Sequence, residues 1–446
     1  MSFISRLKES VTGDSGAHYV FLGNFEVERI WGADEAKLPG SGLSFSGATV
    51  NRMEELGLLL AERGDTVVLK GAVDRDYLAY LRELGGAGAD VLVVDENVPE
   101  RNVSEDALES PVLLERLAAM DDGRTFLAPL GISEVEERLS EKTGLPLAGP
   151  SADVCRRVNG KTFSRELTDG TGVRTIPGSV CRTLQELSAA LHTHLAAGTR
   201  VVVKESLGVS GRGMTVVDSI HKGERLVRMM ARRRAAGPLS LTVEQWVDKD
   251  YDLNYQFVVD RSGQVRFEEV KKALTENGVH RGHQFPPPLP PGLVTELHET
   301  SEVVGRALHA EGYTGLVGVD ALVARDGTLY PCLEINARLN MATYQNGIAE
   351  RFVRAGQYAL AGAVELRVSR AHRFAEVREA LGELLLTAGS GTGVLVNNFA
   401  TLNAAVTPGR ESHGRVYAVA IADSAEESRH LLSSAERRLT EMTCGA

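Results

Sequence analysis

The chain has no long apolar run, few cysteines and no excess of basic charge, and each shortage removes a class of protein. Nothing in its 446 residues approaches the ~20-residue apolar stretch of a membrane span. The opening MSFISRLKES has no apolar core of signal-peptide length, so a cytoplasmic location is expected. The four cysteines, Cys155, Cys181, Cys332 and Cys444, include no C-x-x-C pair, and neither a zinc site nor a disulfide framework is indicated. A formal net charge of −11 argues against nucleic acid as a partner, because that footprint is basic. Two phosphate signatures are missing as well. There is no G-x-x-x-x-G-K-[ST] loop, and no G-x-G-x-x-G follows the first strand-like run.

What is present is ordinary globular composition, with 24% charged and 43% hydrophobic residues, in a chain long enough for several domains. The runs HYVFLGNF (18–25), TVVLK (66–70) and DVLVVD (90–95) have strand length, and helical patterns occupy 74–84 and 111–120. That alternation predicts a small parallel α/β domain over 1–150. Gly and Pro in 144–154 mark its end. A mixed α+β core is expected over 151–368. A third unit over 369–446 reads as helix, two strands (394–398 and 415–422) and a terminal helix.

Within the core, KESLGVSGRGM (204–214) places Lys204 before a loop carrying Ser210, Gly211 and Gly213. Valine-rich runs on both sides make it a strand–hairpin–strand flap, whose backbone N–H groups could close over an anion. Further on, Asp320 lies in GLVGVDALV and Glu334 in CLEIN, both apolar settings where a carboxylate requires a cation. Glu334 and Asn336 are two apart, so in a strand they share a face. Carboxylate and amide oxygens on one face suit octahedral Mg²⁺ carrying nucleotide phosphates.

The order Lys161, Lys204, glycine flap, EQWV (244–247) and the Asp320/Glu334/Asn336 hairpin resembles the ATP-grasp superfamily of carboxylate–amine ligases, from about residue 161 to about residue 340. The resemblance implies an ATP-grasp core of two α+β subdomains, an N-terminal α/β pre-ATP-grasp domain and a small C-terminal α/β domain. It implies that Lys161 and Lys204 touch the ATP phosphates under the flap. Glu244 to Val247 would form the adenine hinge, with backbone groups of Gln245 and Val247 reading the base, and Asp252 would hold the ribose. Lys272, or Lys271, would approach the γ-phosphate, while Asp320, Glu334 and Asn336 hold Mg²⁺. Arg338, in EINAR, matches a family arginine that steadies the acyl phosphate.

The three-part layout further resembles the peptide ligases of pheganomycin biosynthesis and their relatives. That likeness implies an amino acid as carboxylate donor, an amino acid or peptide as acceptor, release of ADP and phosphate, and leaves a homodimer open. Dipeptide ligation, carboxylation and a non-catalytic nucleotide-binding protein remain as alternatives.

The hairpin at Asp326-Gly327 carries its own test. A regular two-residue turn would place Asp320 opposite Leu333 and send Asp320 and Glu334 to opposite faces. A shared metal therefore requires a bulge near Pro331 or a longer turn.

Overall fold

The computed structural model describes residues 1–40, 47–86, 88–208, 213–232, 237–276, 279–407 and 409–444. Strands β1 (His18–Leu22), β2 (Thr66–Leu69), β3 (Asp90–Val93) and β4 (Thr125–Pro129) form a parallel sheet in the order β3-β2-β1-β4. After a polar first residue its strands are apolar, as a parallel sheet covered on both faces requires. Val67 and Leu69 face one core while Val20, Leu22 and Val68 face the other.

A four-stranded antiparallel sheet follows, β5 (Gly178–Cys181), β6 (Val201–Glu205), β7 (Met214–Val217) and β8 (Leu241–Gln245), in the order β5-β8-β6-β7. Val201, Val203, Val217, Leu241 and Val243 bury one face with Leu187, Leu191, Leu226 and Met230 of two helices, Leu184–Ala196 and Ile220–Arg232. Leu38, from the N-terminal domain, is fully buried in that same cluster, and its N–H donates to Glu205 at 2.6 Å.

The remaining strands form one eight-stranded sheet: β9 (Lys249–Val259), β10 (Val265–Glu276), β11 (Val279–Phe285), β12 (Gly315–Ala324), β13 (Leu329–Asn336), β14 (Tyr358–Val368), β15 (Gly393–Asn398) and β16 (Ser412–Ala422). Their order is β13-β12-β9-β10-β11-β14-β16-β15. The strands expected in the C-terminal unit thus extend the sheet of the core, with β16 paired along the whole of β14. Side chains tie this unit to the N-terminal domain as well. Phe374 lies 5.0 Å from Tyr77 between ring centres, and Glu55 accepts from the N–H groups of Phe399 and Ala400 at 2.7 Å each. The C-terminal segment is therefore packed continuously with its neighbours.

One strand shows how the site is built. In β9 the residues alternate strictly, as a strand's period of two requires. Leu253, Tyr255 and Phe257 bury against Leu297, Val304 and Leu308 of the helix Pro291–Ala310, which sends Asp252, Asn254 and Gln256 to the opposite face.

Candidate active site

The polar face of the large sheet is written by register. Glu334 on β13 pairs with Asp320 on β12, Asp320 pairs with Asn254 on β9, and Asn254 pairs with Lys271 on β10. Directly paired residues point the same way, so these four side chains form one row across four strands. Asn336, Gly318, Gln256 and Glu269 form the next row.

The hairpin meets both alternatives that a shared metal requires. Ala324 N–H donates to Thr328 O, so the turn holds three residues, 325–327, with Gly327 at φ 85°. A bulge then follows. Leu322 pairs with Tyr330 but Asp320 with Glu334, so residues 331–333 stand opposite Ala321 alone. The longer turn puts the two carboxylates on one face, and the bulge sets them directly opposite each other.

The donors fit a hard dication. Burial, and next the facing charge of Glu334, push the Asp320 carboxyl up to about 6, against a smaller lowering by the hydrogen bond from Asn254. Asn254 Nδ2 donates to Asp320 at 2.8 Å and Asn336 Nδ2 at 3.2 Å. Two carboxylates and one amide fall short of a closed protein cage, and among the described residues no cluster of three or more His, Cys, Asp or Glu is present. That shortfall suits Mg²⁺, which completes its shell with phosphate oxygens and water.

The helix Lys161–Thr171 holds the two sheets in relation to one another. Its first residue donates from Nζ to Glu334 at 2.6 Å and to Gly208 O at 2.7 Å, just before the flap. One turn later Ser164 Oγ accepts from the N–H of Ile335 at 3.0 Å, and Arg165 reaches Glu244 and the carbonyl of Gly178 on the smaller sheet. Lys161 therefore bridges Gly208 and the carboxylate row.

Lys204 donates to Glu244 at 2.6 Å. Burial works against its ammonium, yet Glu244, with smaller help from Glu334, raises its pKa on balance. By register, Lys204 and Glu244 share the exposed face of the smaller sheet with Met214 and Val216. An exposed apolar pair beside a buried ion pair offers a flat bed for an aromatic base. Sequence reasoning missed this pair, although the alternation in MTVV marks it.

At the hinge, Gln245 N–H donates to Pro177 O at 2.9 Å. A hydrogen-bonded antiparallel pair exchanges two bonds, but proline has no N–H to return. Pro177 therefore returns no bond to the Gln245 carbonyl. Val247 follows beyond the strand. Asp252, two residues before Asn254, lies on the polar face and is held by Lys249 and by Thr275 Oγ1 at 2.7 Å. Gly213, at φ 73°, closes the base of the hairpin, where its carbonyl accepts from Glu205 N–H at 2.7 Å. Ser210 and Gly211 lie outside the described residues.

The expectation for Lys272 needs correction. It pairs with Leu253, which faces the apolar core, so Lys272 turns away from the carboxylate row and lies 4.7 Å over the Tyr251 ring. Lys271 takes the polar face instead, fully buried, with Nζ 2.6 Å from Ala342 O, Asn346 Oδ1 and Glu269. Burial lowers the Lys271 pKa and raises that of Glu269. Replacing Lys271 with Ala is expected to cost about 3–5 kcal/mol, because Glu269 stays buried without its cation. Lys272→Ala should melt, and release ADP, almost as wild type does. Equal losses in both variants, by thermal melts and ADP assay, would contradict this assignment of faces.

Arg338 is held at the end of β13. Its guanidinium donates to Asn336 Oδ1 at 3.0 Å and Leu339 O at 3.1 Å, and pairs with Glu28 of the N-terminal domain. Its Nε is buried without a hydrogen-bond partner. Glu28 was not legible in sequence, where it is one of two acids in FEVERIW. Its position is nonetheless fixed. Trp31, in the same short helix Glu28–Trp31, packs on Gly131 and donates from Nε1 to Ile132 O at 2.9 Å. Leu339 N–H also reaches across to Leu130 O at 3.0 Å.

The fold is that of an ATP-grasp protein, with the smaller sheet and the polar face of the large sheet linked through Lys161 and Arg165. A family model described as the ATP-grasp domain matches residues 169–339, and one described as the pre ATP-grasp domain matches 53–145; the chain belongs to the ATP-grasp superfamily. A [Butirosin acyl-carrier protein]–L-glutamate ligase from Niallia circulans is 26% identical over 298 residues, 66% of each chain. The chain thus spans just under two thirds of that relative, and under a fifth of the pyruvate carboxylase and carbamoyl phosphate synthase chains that also match. Among solved structures, the biotin carboxylase–β,γ-ATP complex from Campylobacter jejuni aligns with TM-score 0.56 and 16% identity, over 90% of this chain and 93% of that one. An ADP complex of N5-carboxyaminoimidazole ribonucleotide synthetase aligns with TM-score 0.54 and 13% identity, over 96% and 98%. Both structural likenesses speak for the fold alone.

Proposed function

We propose that the protein is an ATP-dependent ligase. It would activate the carboxylate of an amino acid as an acyl phosphate, then couple it to the amino group of an amino acid or peptide, with release of ADP and phosphate. The observation that carries this reading is the row of Glu334 and Asp320, with Arg338 beside it and Lys161 and Lys204 facing it. The Niallia circulans relative, whose name joins L-glutamate to an acyl-carrier protein, supports an amino acid substrate and antibiotic biosynthesis as the setting.

Phosphoryl transfer asks a protein mainly for positioning and charge neutralisation. Lys161, against Glu334 and Gly208 O, and Lys204, against Glu244, would supply two positive charges for the phosphates. Asp320, Glu334 and Asn336 would hold Mg²⁺, which supplies a Lewis acid at the phosphate oxygens when bound. Arg338 presents a planar fork to a carboxylate or an acyl phosphate. A closed flap would exclude the water that hydrolyses such an intermediate.

Because the charged groups gather where the terminal phosphates would lie, ATP is expected to yield ADP and phosphate. Phosphorus NMR of a turnover mixture with a panel of amino acids and short peptides tests this. AMP and pyrophosphate as the main products would overturn the reading.

A further inference from the structure

Five carboxylates of the two sheets are already committed. Asp320 and Glu334 form the proposed metal pair, Glu244 holds Lys204, Asp252 is held by Lys249, and Glu269 neutralises Lys271. Glu28 differs from these. It comes from the N-terminal domain, is 5% exposed, and its cation is the guanidinium assigned to the reacting anion. When a carboxylate or acyl phosphate takes over Arg338, Glu28 becomes a buried anion without its counter-charge. The ligand that restores the balance is a cation, and the second substrate of an amide-forming ligase arrives as an ammonium.

We propose that Glu28 is the group that receives the acceptor amine, binding its ammonium beside Arg338 and taking one proton from it. This rests on the ligase reading above. That proton passes to the Glu28 carboxylate and frees the nitrogen lone pair. The nitrogen attacks the acyl carbon, and the C–O bond to phosphate breaks with phosphate taking the electron pair. The second N–H proton leaves with the phosphate as the amide forms. The order follows from the electrostatics: the amine binds productively only after the acyl phosphate has drawn Arg338 away from Glu28.

Hydroxylamine separates this role from a structural one, because it is largely neutral at pH 7.5 and needs no such proton transfer. The experiment uses the full-length protein with Mg·ATP and the common amino acids as donors. L-alanine, glycylglycine or hydroxylamine serves as nucleophile. For Glu28→Gln the expected result is amide formation reduced at least about 100-fold, in the range of a lost general base, with hydroxamate formation little changed. Glu28→Asp, which keeps a carboxylate, should lose less amide formation and no hydroxamate formation, and thermal melts report folding of both. Hydroxamate falling in step with amide would mean that Glu28 only holds Arg338, and would overturn the proposal. So would full amide formation by Glu28→Gln. A wild-type protein that makes neither product with any donor would instead overturn the ligase reading itself.

Discussion

Glu334→Gln is expected to abolish ADP formation, a loss of at least about 10²–10³-fold, while the protein stays folded. Glutamine fills the same space, so no cavity opens, and the partly exposed setting of Glu334 tolerates an amide. What disappears is the charge that faces Asp320 across the hairpin and accepts from Lys161 at 2.6 Å. With that charge gone, the phosphate-bearing cation loses an anionic ligand and Lys161 loses its counter-charge, keeping neutral acceptors alone. ADP release by purified variant, with a thermal melt to establish folding, is the measurement. Turnover like that of wild type in a folded variant would end the metal assignment.

Asp320→Asn is expected to remove activity and, in the absence of Mg·ATP, to stabilise the protein at neutral pH. Burial and the charge of Glu334 hold the Asp320 carboxyl at about 6, above its ordinary value of 3.8. A carboxyl whose pKa is raised on folding contributes its full stability below the unfolded value and loses it as pH rises through the folded one. Ionised Asp320 therefore costs about 2–3 kcal/mol at pH 7.5, at 1.36 kcal/mol per unit. The melting temperature of wild type relative to Asp320→Asn should fall between about pH 4 and pH 6 and level off above that. Added Mg·ATP should recover it for wild type alone. A gap that does not change with pH would show that the site does not strain this carboxylate. Such strain is common where function sets the residue.

Much of the arrangement is legible along the chain. The parallel N-terminal strands follow from apolar runs alternating with helical patterns, though β4 in RTFLAPL is too plain to single out. The ATP-grasp order of lysines, flap and acidic hairpin is readable because each feature keeps its spacing. Even the irregular hairpin follows from parity: two carboxylates that must share a face exclude a regular two-residue turn. Asn254 and Gln256 were readable but unread, since YDLNYQFV alternates polar with large apolar residues over the strand.

Other choices lie outside any local pattern. In VKK, two adjacent lysines are chemically alike, and only pairing with Asn254 and Leu253 sends Lys271 toward the carboxylates and Lys272 away. The C-terminal strands look like a separate unit because their own periodicity is complete, yet β14 offers them an open edge and they join the core sheet. Leu38 and Glu28 belong by sequence to the first domain, and contacts between domains place one in the core of the smaller sheet and the other against Arg338. The sequence by itself determined the fold class, because the order of its lysines, glycine-rich loop and acidic hairpin resembles the ATP-grasp family and strand parity constrains that hairpin. The tertiary structure decided which lysine faces the site and which acid reaches the arginine, because strand register and domain packing join residues that no periodicity relates.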